Sequence, residues 1–120
     1  MGNESNHDSP ELLSEETRNL HRAFLSLCEE IQAVDWYQQR AEARSDEELR
    51  AVITHNKNEE VEHAMMILEW IRRQSPVFDA NIAKYLNRTG PITAVESGGD
   101  GSRPAPVPPG LGIGSLRRSK

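Results

Sequence analysis

Glu60 and His63 form a Glu-x-x-His pair inside residues 56–70, a run dominated by strong helix formers. Residues three apart lie on one side of an α-helix. That side also carries Ile53, Ala64, Ile67 and Trp70, so a carboxylate and an imidazole point into an apolar stripe. An ionised carboxylate buried without a partner is costly; such a group neutralises, pairs or binds a cation. A second acid interrupts a second stripe: Glu30 has Ala23 and Leu27 before it, and Val34 and Tyr37 after it, at helical spacing. Two carboxylates with one imidazole suit iron or manganese. The plainer alternative is that Glu60 and His63 pair with each other, or face water in a different rotation of the helix.

These residues need elements to carry them. Residues 1–8 read as a polar, disordered lead. Ser9-Pro10-Glu11 has the chemistry of a helix start: a capping hydroxyl, proline at the first helical position, then an acid. Apolar residues then recur at helical spacing from Leu13 through Leu20, Phe24, Leu27, Ile31 and Val34. The spacing predicts a helix to about residue 44, roughly 50 Å long. Ser45-Asp46-Glu47-Glu48 reads as a capping box that opens a second long helix, with Arg72 and Arg73 in its last turn. Ser75-Pro76 starts a shorter third helix over about 77–87.

Folded about a turn near residues 44 and 45, Glu30 lies about 14 residues before the midpoint and Glu60 about 15 after it. At 1.5 Å per residue the two are almost level, so Glu30, Glu60 and His63 are expected to meet on facing helices. Di-iron carboxylate bundles take one Glu from each of two helices and a Glu-x-x-His from each of two others. This chain has one of each, which is half a site. The expectation is an all-α fold: an antiparallel two-helix hairpin plus a short third helix, dimerising into a four-helix bundle with a shared di-iron centre. The competing reading is a non-enzymatic helical hairpin whose dimer buries charges for pairing specificity and acts as an adaptor.

Composition agrees with a small, associating body. Only 36% of the 120 residues are hydrophobic and 5% aromatic, and a helical domain over residues 9–96 has little core to stand alone on. The net charge is −5. Residues 97–120 carry four cations against Asp100, a net +3, which leaves −8 on residues 1–96. An acidic helical body argues against a nucleic-acid partner. The single cysteine, Cys28, excludes an internal disulfide framework, fits a reducing compartment and is expected in the core beside Phe24 and Ile31. The first residues have neither the apolar core of a signal peptide nor a myristoylation pattern, and no apolar run is long enough to span a bilayer. A soluble, intracellular protein with no membrane partner is expected.

Other residues are weaker candidates. His55 and Glu59 read as a solvated pair, His21 as structural or surface, and Met65 and Met66 as core filler. Trp36 with Glu29 suits either an outer, partly exposed cation site or simple packing. Residues 97–110 are a Pro- and Gly-rich linker. Residues 111–120 bring back apolar side chains in Leu111, Ile113 and Leu116, followed by basic residues.

Over about residues 11–96, and again in the tail, the chain resembles the encapsulated ferritin family. The resemblance is carried by Val34-Asp35-Trp36-Tyr37 with the preceding Cys28-Glu29-Glu30, by His55-Asn56-Lys57-Asn58-Glu59-Glu60-Val61-Glu62-His63-Ala64, by Leu68-Glu69-Trp70-Ile71-Arg72-Arg73, and by Gly90-Pro91-Ile92-Thr93-Ala94. It implies a ferritin-like four-helix bundle made by two chains. It also implies ferroxidase activity, the oxidation of ferrous iron by dioxygen at a di-iron centre whose ligands match Glu30, Glu60 and His63, with Tyr37 close by. The family's outer site of acids and a tryptophan matches Glu29 and Trp36, but Gln32 stands where similar sequences often have a glutamate. Rings of dimers, commonly decamers, are implied, housed as cargo of an encapsulin nanocompartment in the prokaryotic cytoplasm. Leu111-Gly112-Ile113-Gly114-Ser115-Leu116 resembles the peptide that docks such cargo to the shell protein.

Overall fold

A computed structural model describes residues 7–98 of the chain. All regular structure among them is helical. A 3-10 turn at Pro10–Leu12 precedes α1, Glu15–Ala43; then come α2, Glu47–Gln74, α3, Pro76–Tyr85, and α4, Ile92–Glu96. The chain divides into two compact units, the first ending at Asp79 and the second beginning at Ala80. No helix among the described residues is long and apolar enough to cross a membrane. The expected linker beyond Gly98, the terminal peptide with Leu111, Ile113 and Leu116, and most of the expected N-terminal lead lie outside the described residues.

The first unit is the hairpin. α1 and α2 pack antiparallel across the three-residue turn Arg44, Ser45 and Asp46. Both starts differ from the expectation. The Ser9 side chain caps nothing. The chain instead breaks at Leu13, and the Ser14 hydroxyl accepts from the Thr17 N–H at 3.1 Å. Arg18 holds this entry segment by donating to the Pro10 and Leu13 carbonyls. At the second start the cap is Asp46, which accepts from the Leu49 N–H at 2.9 Å, rather than Ser45. Two acids follow each cap and complement the helix dipole.

Cys28 is exposed, not buried. Glu30 turns toward α2, and a residue two positions earlier on a helix points about 160° away. Met65 and Met66 are likewise exposed rather than packed in a core. Buried apolar side chains are scarce: among the described residues only Ala64 and Ile71 on α2, and Val95 on α4 in the second unit, qualify, and of these Ile71 alone is fully buried. Ala64 lets the two long helices approach, and Ile71 fills the space near the open end of the hairpin. Ile71→Ala should cost about 2–5 kcal/mol, read as a lower urea midpoint; an unchanged midpoint would mean that Ile71 is not part of the core.

α3 starts as expected, with the Ser75 hydroxyl accepting from the Phe78 N–H at 3.2 Å. Phe78 stacks on Phe24 of α1, ring centroids 5.6 Å apart. In the second unit Asn87 has φ 61° and Gly90 has φ 84°. This left-handed backbone ends the helix, and Pro91 then precedes α4, which the sequence reading did not anticipate.

A charged cluster that the sequence reading missed ties the end of α2 to the first turn of α3. Glu69 accepts from Arg72 at 2.8 and 2.9 Å and from Arg73 at 2.7 Å, while Arg72 also donates to Asp79 at 2.6 Å. The hydrogen bonds from Arg72 and then Arg73 hold the Glu69 carboxyl down at about 2, against an ordinary 4.5. A carboxylate with a depressed folded-state value stabilises fully above its unfolded value, and the contribution is lost as pH falls through the folded one. The thermal midpoint should therefore fall between about pH 4.5 and pH 2 more steeply in the native chain than in Glu69→Gln. The effect should be small and salt-sensitive, because the cluster is solvated. Parallel curves for the two proteins would contradict this.

Candidate metal centre

Glu30 comes from the middle of α1 and Glu60 and His63 from the middle of α2, each acid 15 positions from Ser45 in the turn. The antiparallel hairpin brings them level. His63 Nδ1 lies 3.4 Å from Glu60 Oε1 and 3.6 Å from Glu30 Oε1. One donor atom from each residue falls within 4.8 Å of the other two. Among the described residues this is the one group of three or more His, Cys, Asp or Glu side chains so placed. The side chains of Glu30 and Glu60 are 26% and 24% exposed, and that of His63 44%. Two acids thus sit largely out of water at the lip of the hairpin, with the imidazole opening to its surface.

The electrostatics of the group are unsettled in a telling way. Glu30 Oε1 has no accessible surface to speak of and no hydrogen-bond partner; His63 at 3.6 Å is too far to serve. An unpaired buried acceptor is costly. The Glu30 carboxyl titrates above its ordinary value because it shares a hydrogen bond with Glu60 and is partly desolvated, while that same bond holds Glu60 below its own. Facing carboxyls of this kind cannot both ionise easily, and they titrate as a pair. A cation placed between them would offset their repulsion, satisfy Glu30 Oε1 and use the Nδ1 of His63. Two oxygen donors and one imidazole fit a first-row divalent metal such as iron. Three donors leave such an ion under-coordinated, so the group has room for further ligands.

The other candidates are arranged differently. Glu29, Gln32 and Trp36 fall at i, i+3 and i+7 along the exposed side of α1, facing away from the cluster and outside it. Tyr37 is half-buried, with the Arg40 guanidinium 5.7 Å from its ring centre. His55 and Glu59 make an exposed pair at 3.6 Å, and His21 is half-buried. Sequence reasoning missed Lys57, which stands one turn before Glu60 and donates to Gln38 of α1 at 2.8 Å. This bond crosses the hairpin and helps to hold α2 in register with α1. Its only signal was a lysine at helical spacing from the acid.

Comparison with known proteins places this geometry in a family. The chain is 47% identical to an encapsulated ferritin-like protein of Rhodospirillum rubrum, over 94% of this chain and 88% of the relative. It is 44% identical to a ferritin-like protein of Thermotoga maritima, over 75% and 79%. It is 33% identical to the encapsulin nanocompartment cargo protein EncC of Myxococcus xanthus, over 78% and 81%. A solved structure, protein ne0167 of Nitrosomonas europaea, superposes with a TM-score of 0.70 at 50% identity, covering 72% of this chain and 96% of that one. The EncFtn-like family profile matches residues 5–89. Helical architecture, motif segments and matched length agree, and the chain belongs to the EncFtn-like family.

Proposed function

We propose that the chain is a ferroxidase, in which two copies bring their Glu30, Glu60 and His63 groups together around a pair of irons. The observation that carries this reading is the cluster itself: three donor atoms within 4.8 Å, beside a buried Glu30 carboxylate oxygen that accepts no hydrogen bond. Glu30 Oε1 accepts no hydrogen bond, which favours a cation at this group over charges buried for pairing specificity alone. Ferrous iron is the substrate: each ion gives up one electron, and dioxygen accepts the electrons. The chain's residues do the rest. Glu30 and Glu60 offer carboxylate oxygens, and His63 offers Nδ1. Hydrophobic neighbours such as Ala64 keep the inner side of the site dry.

A half-set of ligands and a thin core both ask for a second chain. The homodimer is proposed as the unit of a larger ring, a decamer, acting as cargo of an encapsulin compartment in the prokaryotic cytoplasm. The names of the Rhodospirillum and Myxococcus relatives support the compartment. Docking is assigned to Leu111, Ile113 and Leu116, and an outer, weaker cation site to Glu29, Gln32 and Trp36. Ferrous iron titrated into the full chain under air tests the function. Fast oxidation that saturates at one iron per chain is expected. Oxidation no faster than in buffer would remove the enzyme reading and leave the adaptor.

A further inference from the structure

Met65 and Met66 follow His63 by two and three positions on α2, and they are 52% and 60% exposed. Each carries a thioether, a soft sulfur open to oxidation. Met1 is the chain's other methionine. The two neighbours face different ways. At about 100° per residue, Met66 points about 60° from His63 and Met65 about 160° from it. Met66 therefore continues the side of α2 that bears the imidazole, about 4.5 Å farther along the axis. Met65 does not.

A groove of about 430 Å³ between α1 and α2 is lined by Met66 and not by Met65. Its near end lies one helical turn from the metal-ligand cluster on both helices. On α1, Ser26 stands four positions before Glu30, and on α2 Met66 stands three after His63. Ala23 and Ile67 line the groove farther along, and Trp70 stands one turn beyond Met66. A small neutral molecule leaving the cluster along this side of the hairpin meets the Met66 sulfur before the Trp70 indole.

The proposed centre makes such a molecule. A pair of ferrous ions gives up two electrons, whereas dioxygen needs four to become water. With two electrons and two protons it becomes hydrogen peroxide, which is small and neutral. We infer that Met66 is an oxidation site that consumes this peroxide as it leaves. The sulfur lone pair takes one oxygen and the O–O bond breaks. The hydroxide released collects the proton of the new S–OH group and departs as water. Methionine loses two electrons to become the sulfoxide, and peroxide gains them. Methionine sulfoxide reductases restore the thioether, so the site is renewable and stands in front of Trp70. This rests on the ferroxidase reading and adds where its reactive product goes. A second chain over the groove would hold peroxide on this path rather than release it to bulk water.

Peptide mapping after turnover tests the site, with Met65 as its internal control. The full-length protein oxidises ferrous iron under air with catalase in the solvent, which destroys peroxide that reaches bulk water. Tandem mass spectrometry then reads sulfoxide as a gain of about 16 Da at each methionine. Sulfoxide at Met66 should exceed that at Met65 by ~5-fold or more, whereas peroxide added to the iron-free protein should modify the two to within ~2-fold, as their similar exposure dictates. Met66→Leu preserves volume and removes no ligand. It should oxidise iron at the native initial rate, yet over repeated iron additions it should gain oxygen at Trp70 and not at Trp36. Met66 no more oxidised than Met65 after turnover, or favoured equally by added peroxide, would overturn the inference. Iron oxidation is followed in the same samples, which separates the two readings. Iron oxidised with Met66 intact removes the methionine site alone; iron left ferrous removes the ferroxidase and this site with it.

Discussion

Glu30→Ala, Glu60→Ala and His63→Ala each lower the rate of ferrous-iron oxidation by ~100-fold or more, at or beyond the cost of losing a partner that merely orients a metal ligand. Three donors per chain are already a minimal set, so none can be spared. The same substitutions leave the helices standing, because all three side chains reach the lip of the hairpin and none belongs to the buried set. Glu30→Ala carries a second, less intuitive expectation. It removes a buried oxygen that accepts no hydrogen bond and the carboxyl that faces Glu60, so the metal-free variant should melt at a higher temperature than the native chain. Lost activity with raised stability is the signature of a residue kept for function. Native oxidation rates in these variants, or a Glu30→Ala chain that fails to fold, would count against the assignment. Rates are compared in stopped-flow at equal iron, and melting by circular dichroism without metal.

The second large effect concerns the tail. Deleting residues 111–120 should abolish loading into the encapsulin shell while leaving iron oxidation per chain unchanged. Burying Leu111, Ile113 and Leu116 in shallow apolar sites is worth roughly 1.5–3 kcal/mol for each fully covered side chain. A ring carrying many tails multiplies that weak affinity through effective concentration. Leu116→Ala alone should thus reduce loading only in part, whereas deletion removes every contact at once. Co-expression with the shell protein, followed by purification of shells and quantification of cargo, reads both. Loading undiminished by the deletion would move docking to another surface.

Much of the site's geometry was legible because two strict rules act on it. A helix repeats every 3.6 residues, so Glu60 and His63 share a side, and an antiparallel hairpin with a three-residue turn puts residues equidistant from the turn at one height. Glu30 and Glu60 satisfy both. The caps were harder. Ser9 and Ser14, like Ser45 and Asp46, are nearby residues of capping type, and which one captures an N–H depends on where the backbone leaves extended geometry. Cys28, Met65 and Met66 were expected inside because apolar type at helical spacing says that a residue packs, not on which chain it packs. In the proposed dimer a second chain would cover what a single hairpin exposes. The Glu69 cluster escaped notice because Glu and Arg at i, i+3 and i, i+4 are ordinary on solvated helices, and only the arrival of Asp79 makes them a joint between α2 and α3.

The central claim is that one pair of irons is held between two copies of the hairpin. Crystals of the full-length protein grown anaerobically with ferrous iron, measured at the iron absorption edge, test it most directly. Two anomalous peaks are expected close to a two-fold axis, each within coordinating distance of Glu30, Glu60 or His63 side chains from both chains. Iron fully ligated inside a single chain, or peaks lying elsewhere while these three side chains remain empty-handed, would contradict it.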